Sequence, residues 1–225
     1  MTTSYCLKLE NGQELLFEVP DHSGVAPASL NDVSGVPQWV NLECQQCRIC
    51  PLVQTEVLYC PASFDLQDVI EQCSDLISYD RVVVARKTES GTTTTETDLQ
   101  KALFSVIGER AISSACPVLN TRRWSLDYYS MITSAENIFY RSLSSYLVRQ
   151  FLLAASGRDS DLKLKDHIAF IEETGLVFGS LLERFRNVVK QDASNNAVVR
   201  MIFMIQRLCS RRDQWIEELK TKVGI

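Results

Sequence analysis

Four of the chain's eight cysteines fall within the eighteen residues CQQCRICPLVQTEVLYCP, Cys44 to Pro61. Thiols at this density point to a shared task, and the stretch reads as a cysteine loop between the first hairpin and the next helix. Cys-Pro dipeptides recur at 50–51, 60–61 and 116–117 in a chain with only six prolines. Proline fixes φ and donates no N–H, so each pair can hold a turn in one shape.

What the thiols do depends on the compartment. The start, MTTSYCLKLENGQELL, lacks the basic flank and apolar run of a signal peptide. No window approaches eighteen apolar residues free of charge, so no membrane span and a cytoplasmic location are expected. Thiols there stay reduced, and clustered cysteines point to metal or redox chemistry before structural disulfides. The net charge of −5 disfavours nucleic acid and anionic lipid as partners. With 225 residues, 45% of them hydrophobic, the chain can bury a sizeable core.

Zinc takes four tetrahedral ligands, often two from a Cys-x-x-Cys turn and two from elsewhere. Cys47 and Cys50 form such a turn, as do Cys44 and Cys47. Cys60 follows Cys50 closely enough to fold back onto the same ion, and Cys116 is the candidate fourth ligand because it too precedes proline. Iron competes: CQQCRIC has the Cys-x-x-Cys-x-x-Cys spacing of an iron–sulfur run, although nine residues separate Cys50 from Cys60, which does not fit that run. A reversible Cys-x-x-Cys dithiol is a third reading, without the βαβ pattern of a thioredoxin around it, and ordinary loop thiols a fourth.

The remaining pattern is α+β. In residues 4–19, alternating apolar positions flank Asn11-Gly12, predicting a β-hairpin with a type I′ turn. Residues 20–38 are rich in Pro, Gly, Ser and Asp and read as a connection. Leu66, Val69, Ile70, Cys73, Leu76 and Ile77 have helical spacing, with Ser63 as the expected N-cap and Cys73 as a buried hydrophobe. Two β-branched runs around Glu89-Ser90-Gly91 predict a second hairpin, and Thr97 with Gln100 a capping box opening a helix over 98–113. Thr133 with Glu136 is a second capping box, opening a helix that Gly157 ends. Apolar stripes over 163–190 and 194–220 predict two more helices, and the short loops predict an antiparallel three-helix bundle. The expected division is an α+β part over 1–130 holding the four-cysteine site, and a helical part over 131–225, packed as one body.

The other polar residues suggest structure. His22 lies in a polar loop and reads as solvated; His167, early in a helix, reads as a surface or capping residue. Arg122-Arg123-Trp124 and Arg207 with Arg211-Arg212 read as solvated helix ends. Asp192, Asn195 and Asn196 read as caps and helix–helix hydrogen bonds. Tyr128-Tyr129 are expected between the two parts. No glycine-rich phosphate loop is present, and no Ser, His and Asp are suggested as a catalytic set.

The segments LENGQELLFEV, VPQWVNLECQQCRICPL, YCPAS, SYDRVVVARKTESGTTTTETDLQKALFSVIG, ACPVL and QDASNNAV together resemble a family of uncharacterised bacterial proteins, a domain-of-unknown-function family with Cys-x-x-Cys-Pro-Leu followed by two further Cys-Pro pairs. The resemblance spans nearly the whole chain. It implies that Cys47, Cys50, Cys60 and Cys116 form the site and that Cys44 stands outside it. The expectation is a non-catalytic module binding an unidentified protein partner, its fold pinned by a four-cysteine zinc. The alternative is a redox or sensing protein with an iron–sulfur cluster or dithiol on the same residues. An enzyme using the arginines on a phosphorylated ligand is the weakest reading.

Overall fold

The structure is a computed structural model that describes residues 3–22, 24–123 and 134–224. Strands β1 (Thr3–Leu9) and β2 (Glu14–Val19) form the first hairpin, and β3 (Arg81–Thr88) and β4 (Gly91–Asp98) the second. β1 pairs antiparallel with β3, giving one four-stranded sheet in the order β2-β1-β3-β4. Period-two alternation buries one face: Tyr5, Leu7, Leu9, Leu15, Phe17, Val82 and Val84 point inward, while Leu16 and Val83 face solvent.

The first turn differs from expectation. The Gly12 amide donates to Leu9 O at 3.0 Å and the Leu9 amide to Gln13 O at 2.9 Å, with only Gly12 at positive φ (86°). This is the three-residue loop with a glycine bulge rather than a two-residue type I′ turn. Asn11 stays at negative φ, and its Oδ1 accepts from the Gln13 amide.

Helix α3 (Leu99–Ser113) covers the buried face of the sheet. It is buried on nearly every side because α6 packs along its other flank. Its N-cap is Asp98, which accepts from the Lys101 amide at 3.1 Å, not Thr97. Thr97 is still paired with Val82 in the ladder, so the helix starts after it.

The single helix expected over 63–77 is instead two short ones, α1 (Pro61–Phe64) and α2 (Gln67–Gln72). Cys60 rather than Ser63 stands at the first N-cap, because Pro61 suits the first helical position, where no N–H is needed. Ser63 is buried, with its hydroxyl unpartnered. Cys73 is buried in the core, as expected.

The helical part comprises α4 (Ala135–Ala155), α5 (His167–Phe185) and α6 (Ala193–Val223), with α6 contacting both others. The N-cap of α4 is Ser134, which accepts from the Asn137 amide; Thr133, Trp124, Tyr128, Tyr129 and the boundary at 130 lie outside the described residues. Gly157 at φ 72° ends α4 with its amide bonded to Ala154 O. α5 is shorter than its apolar stripe suggested, since residues 186–192 leave the helix. There the Lys190 and Gln191 amides donate to Ser74 O. One apolar cluster runs from Tyr5 in the sheet through Leu103 and Ile107 of α3 to Val198 and Trp215 of α6. No described helix is long and apolar enough to cross a membrane.

Candidate metal centre

Three backbone devices place the cysteines. The Cys50 amide donates to Cys47 O at 2.9 Å, closing the Cys-x-x-Cys turn. A short antiparallel bridge joins Asn41 to Tyr59, and the Cys60 amide donates to Val40 O at 2.8 Å, so the loop from 41 to 59 returns on itself. Cys116 follows the end of α3, where its amide donates to Ser114 Oγ at 3.2 Å and its carbonyl accepts from the Asn120 amide at 2.8 Å.

Cys47, Cys50, Cys60 and Cys116 line one small, partly open cavity of about 20 Å³. The cavity holds about one water-sized body. Gln45 and Gln46 of the loop and Val177, Ser180, Leu181 and Arg184 of α5 complete its wall. Cys44 lies elsewhere, in a surface recess with Gln38, Trp39, Glu43, Asn187 and Val188. All eight cysteines are free thiols.

As placed, no group of three or more His, Cys, Asp or Glu side chains among the described residues could hold a metal ion. The four thiols share a wall without standing in ligating positions. Four thiols are nonetheless the donor set that a thiophilic ion such as zinc takes.

The thiols differ in protonation. Hydrogen bonding with Cys50, followed by burial, pushes the Cys47 thiol far up; the same bond lowers Cys50 to about 6, helped by the Leu52 backbone, the Gln46 side chain and the Arg184 charge. Burial, then the neighbouring Cys60, pushes Cys116 up to about 12.

Arg184 was not evident from the sequence as a site residue. It is 1% exposed. Its Nη1 donates to Trp39 O at 2.6 Å and Asn41 O at 2.7 Å, and its Nη2 to Leu42 O at 3.3 Å. The available signal was a charge inside the α5 apolar stripe, three residues after Leu181.

Several polar residues depart from their solvated reading. His167 is fully buried between the rings of Phe139 and Tyr146, with Nε2 3.3 Å from Ser142 Oγ and Nδ1 unpartnered. Burial, then the Arg212 charge, lowers it to about 4. His22 Nδ1 lies 2.9 Å from Oδ2 of the buried Asp65. Arg122 is 4% exposed, stacks over the Phe170 ring and reaches Glu173 at 2.6 Å. Asp65 and Glu173 lie more than forty residues from His22 and Arg122, and Ser142 lies 25 residues from His167, beyond any local pattern. Arg211 bonds to Gln214 at the helix surface, whereas the mostly buried Arg212 holds Asp213, donates from Nη2 to Leu164 O at 3.2 Å and leaves Nε unpartnered, so it too departs from its solvated reading.

Against known proteins, no curated protein and no solved structure matches the chain. A family model described as a domain of unknown function, DUF6901, matches residues 3–223. The chain therefore belongs to the DUF6901 family.

Proposed function

We propose that this protein is a non-catalytic interaction module whose fold is pinned by one zinc ion held by Cys47, Cys50, Cys60 and Cys116. The observation that carries this reading is the single ion-sized cavity shared by these four thiols, which come from three separate turns. Four thiolates fill a tetrahedral zinc, so no position is left for a reactive water. A structural ion of this kind would join the loop at 47–60 to the turn after α3. A protein partner is inferred from apolar surface on α4, where Tyr140, Val148, Phe151 and Leu152 stand exposed. The cytosol, where thiols stay reduced, is the compartment that fits such a site.

A second reading, a reversible dithiol or an iron–sulfur cluster on the same cysteines, is favoured by the opposite displacement of Cys47 and Cys50. Reactive dithiols owe their chemistry to such asymmetry. Protein purified without oxygen separates the two. About one equivalent of zinc in a colourless sample supports the first. Absorption near roughly 400 nm together with iron supports a cluster. A metal-free sample whose four thiols titrate freely overturns the zinc reading and leaves the dithiol.

A further inference from the structure

A buried guanidinium is costly unless an anion faces it or its protons are fully bonded. Arg184 comes from α5 near its C-terminal end and projects into the cysteine loop. Three main-chain carbonyls, of Trp39, Asn41 and Leu42, accept from it. Carbonyl dipoles solvate a cation but do not neutralise it. Among the described residues no carboxylate pairs with this guanidinium, whereas the other buried arginines, Arg110 and Arg122, have Asp68 and Glu173. What Arg184 does share is the wall of the four-cysteine cavity.

Resting on the zinc reading above, we infer that Arg184 is the counter-charge of the metal–thiolate centre and the residue through which metal occupancy is felt by the helical part. Four thiolates and one Zn²⁺ sum to two negative charges. A dianionic centre in a largely buried cavity is stabilised by a fixed cation nearby, and among the described residues the only guanidinium or ammonium in the cavity wall is that of Arg184. The pairing is reciprocal. Without the ion the negative charge facing Arg184 is smaller, and the contact between α5 and residues 39–42 weakens. With the ion, α5 is held to the loop by charge as well as by hydrogen bonds. Arg184 is a positioning residue here, since it shares the cavity wall but is not one of the four ligands.

The test measures Zn²⁺ affinity by competition with a chromogenic chelator, beside thermal unfolding with and without Zn²⁺, for wild type, Arg184→Gln and Arg184→Lys. Removing an outer-shell partner typically weakens metal binding by about 10- to 100-fold. Arg184→Gln is expected to lose affinity in that range, and its zinc-induced rise in Tm should shrink. Arg184→Lys keeps the charge and loses the fork, so its affinity should stay within about 10-fold of wild type while its metal-free Tm falls. Wild-type affinity in Arg184→Gln, with both metal-free and zinc-bound Tm lowered equally, overturns the inference and leaves Arg184 a structural cross-link. If Arg184→Gln does not fold, Arg184→Lys decides alone: a loss beyond about 10-fold, equal to that expected for an outer-shell deletion, overturns the inference. A wild type that takes up no Zn²⁺ overturns the zinc reading first, before any arginine variant is compared.

Discussion

Asp192 accepts two hydrogen bonds from Ser78, from its amide to Oδ1 at 2.9 Å and from its hydroxyl to Oδ2 at 2.9 Å. The pair is 114 residues apart and joins the turn before β3 to the start of α6. Asn196 adds bonds to both, at 3.1 Å and 2.8 Å, and the Ala193 amide donates to Leu76 O. The helix-start residues thus cap less than they clamp one segment of the chain to another.

Asp192→Ala should therefore cost more than a surface cap. Hydrogen bonds to a charged group are worth about 1.5–3 kcal/mol. The expected result is a lower urea midpoint with unchanged slope, by roughly 2 kcal/mol. A change under about 0.5 kcal/mol, the scale of an ordinary surface substitution, would show that solvent replaces the clamp.

Chelation provides the second test. Structural zinc contributes on the order of 10 kcal/mol in small peptides, against about 5–15 kcal/mol for the stability of a whole domain. Cys60→Ser should unfold like chelator-treated wild type, and Cys44→Ser, whose thiol lies outside the cavity, like untreated wild type. The sheet should loosen before the helices, which is visible as loss of β circular dichroism ahead of α. Equal small effects of both substitutions, with no response to chelator, would falsify the structural-metal reading.

His167 gives a pH dependence with a definite sign. Its folded value, about 4, lies below the ordinary 6.5, because burial and Arg212 disfavour the imidazolium while Asp161 opposes them weakly. Its contribution is complete above pH 6.5 and is lost as pH falls through 6.5 to 4, below which both folded and unfolded histidine are charged. His167→Phe keeps a ring between Phe139 and Tyr146 and removes the proton. Urea unfolding from pH 7 to pH 4.5 should show a shallower acid loss in this variant than in wild type. Parallel curves would mean that His167 keeps its proton uptake in the folded state.

The two α5 glycines should respond differently to alanine. A Cβ at Gly179 meets nothing within 4 Å, whereas one at Gly175 comes 3.0 Å from Ile205 Cγ2 on α6. Alanine gains about 0.8–1 kcal/mol over glycine in a helix. Gly179→Ala should show most of that gain as a higher Tm. Gly175→Ala should lose it to the displaced Ile205, ending at or below wild type. A gain at Gly175 as large as at Gly179 would show that α6 yields freely.

Local order was legible in the sequence where the cause is local. The hairpins follow from alternation on either side of Gly12 and Gly91, and α3 to α6 from apolar spacing and turn residues such as Gly157. The Cys47–Cys50 turn follows from spacing alone, because two residues between cysteines let the Cys50 amide reach Cys47 O. Helix ends were less legible, since Thr97 and Ser63 have good capping chemistry but are occupied by a ladder pair and a buried turn.

What only the tertiary structure decided is which charges and thiols meet. Arg184 and His167 sit in α5 and Arg122 in the turn after α3, where polar residues ordinarily face water. They are buried because carbonyls, a carboxylate or rings arrive from segments far away in the chain. Cys116 reaches the loop because α3 spans the sheet and ends beside Cys60, a consequence of helix length and packing rather than of any motif. Spacing along the chain encodes hydrogen bonds a few residues apart, but charge compensation depends on distance in space, which the sequence carries only through the whole fold.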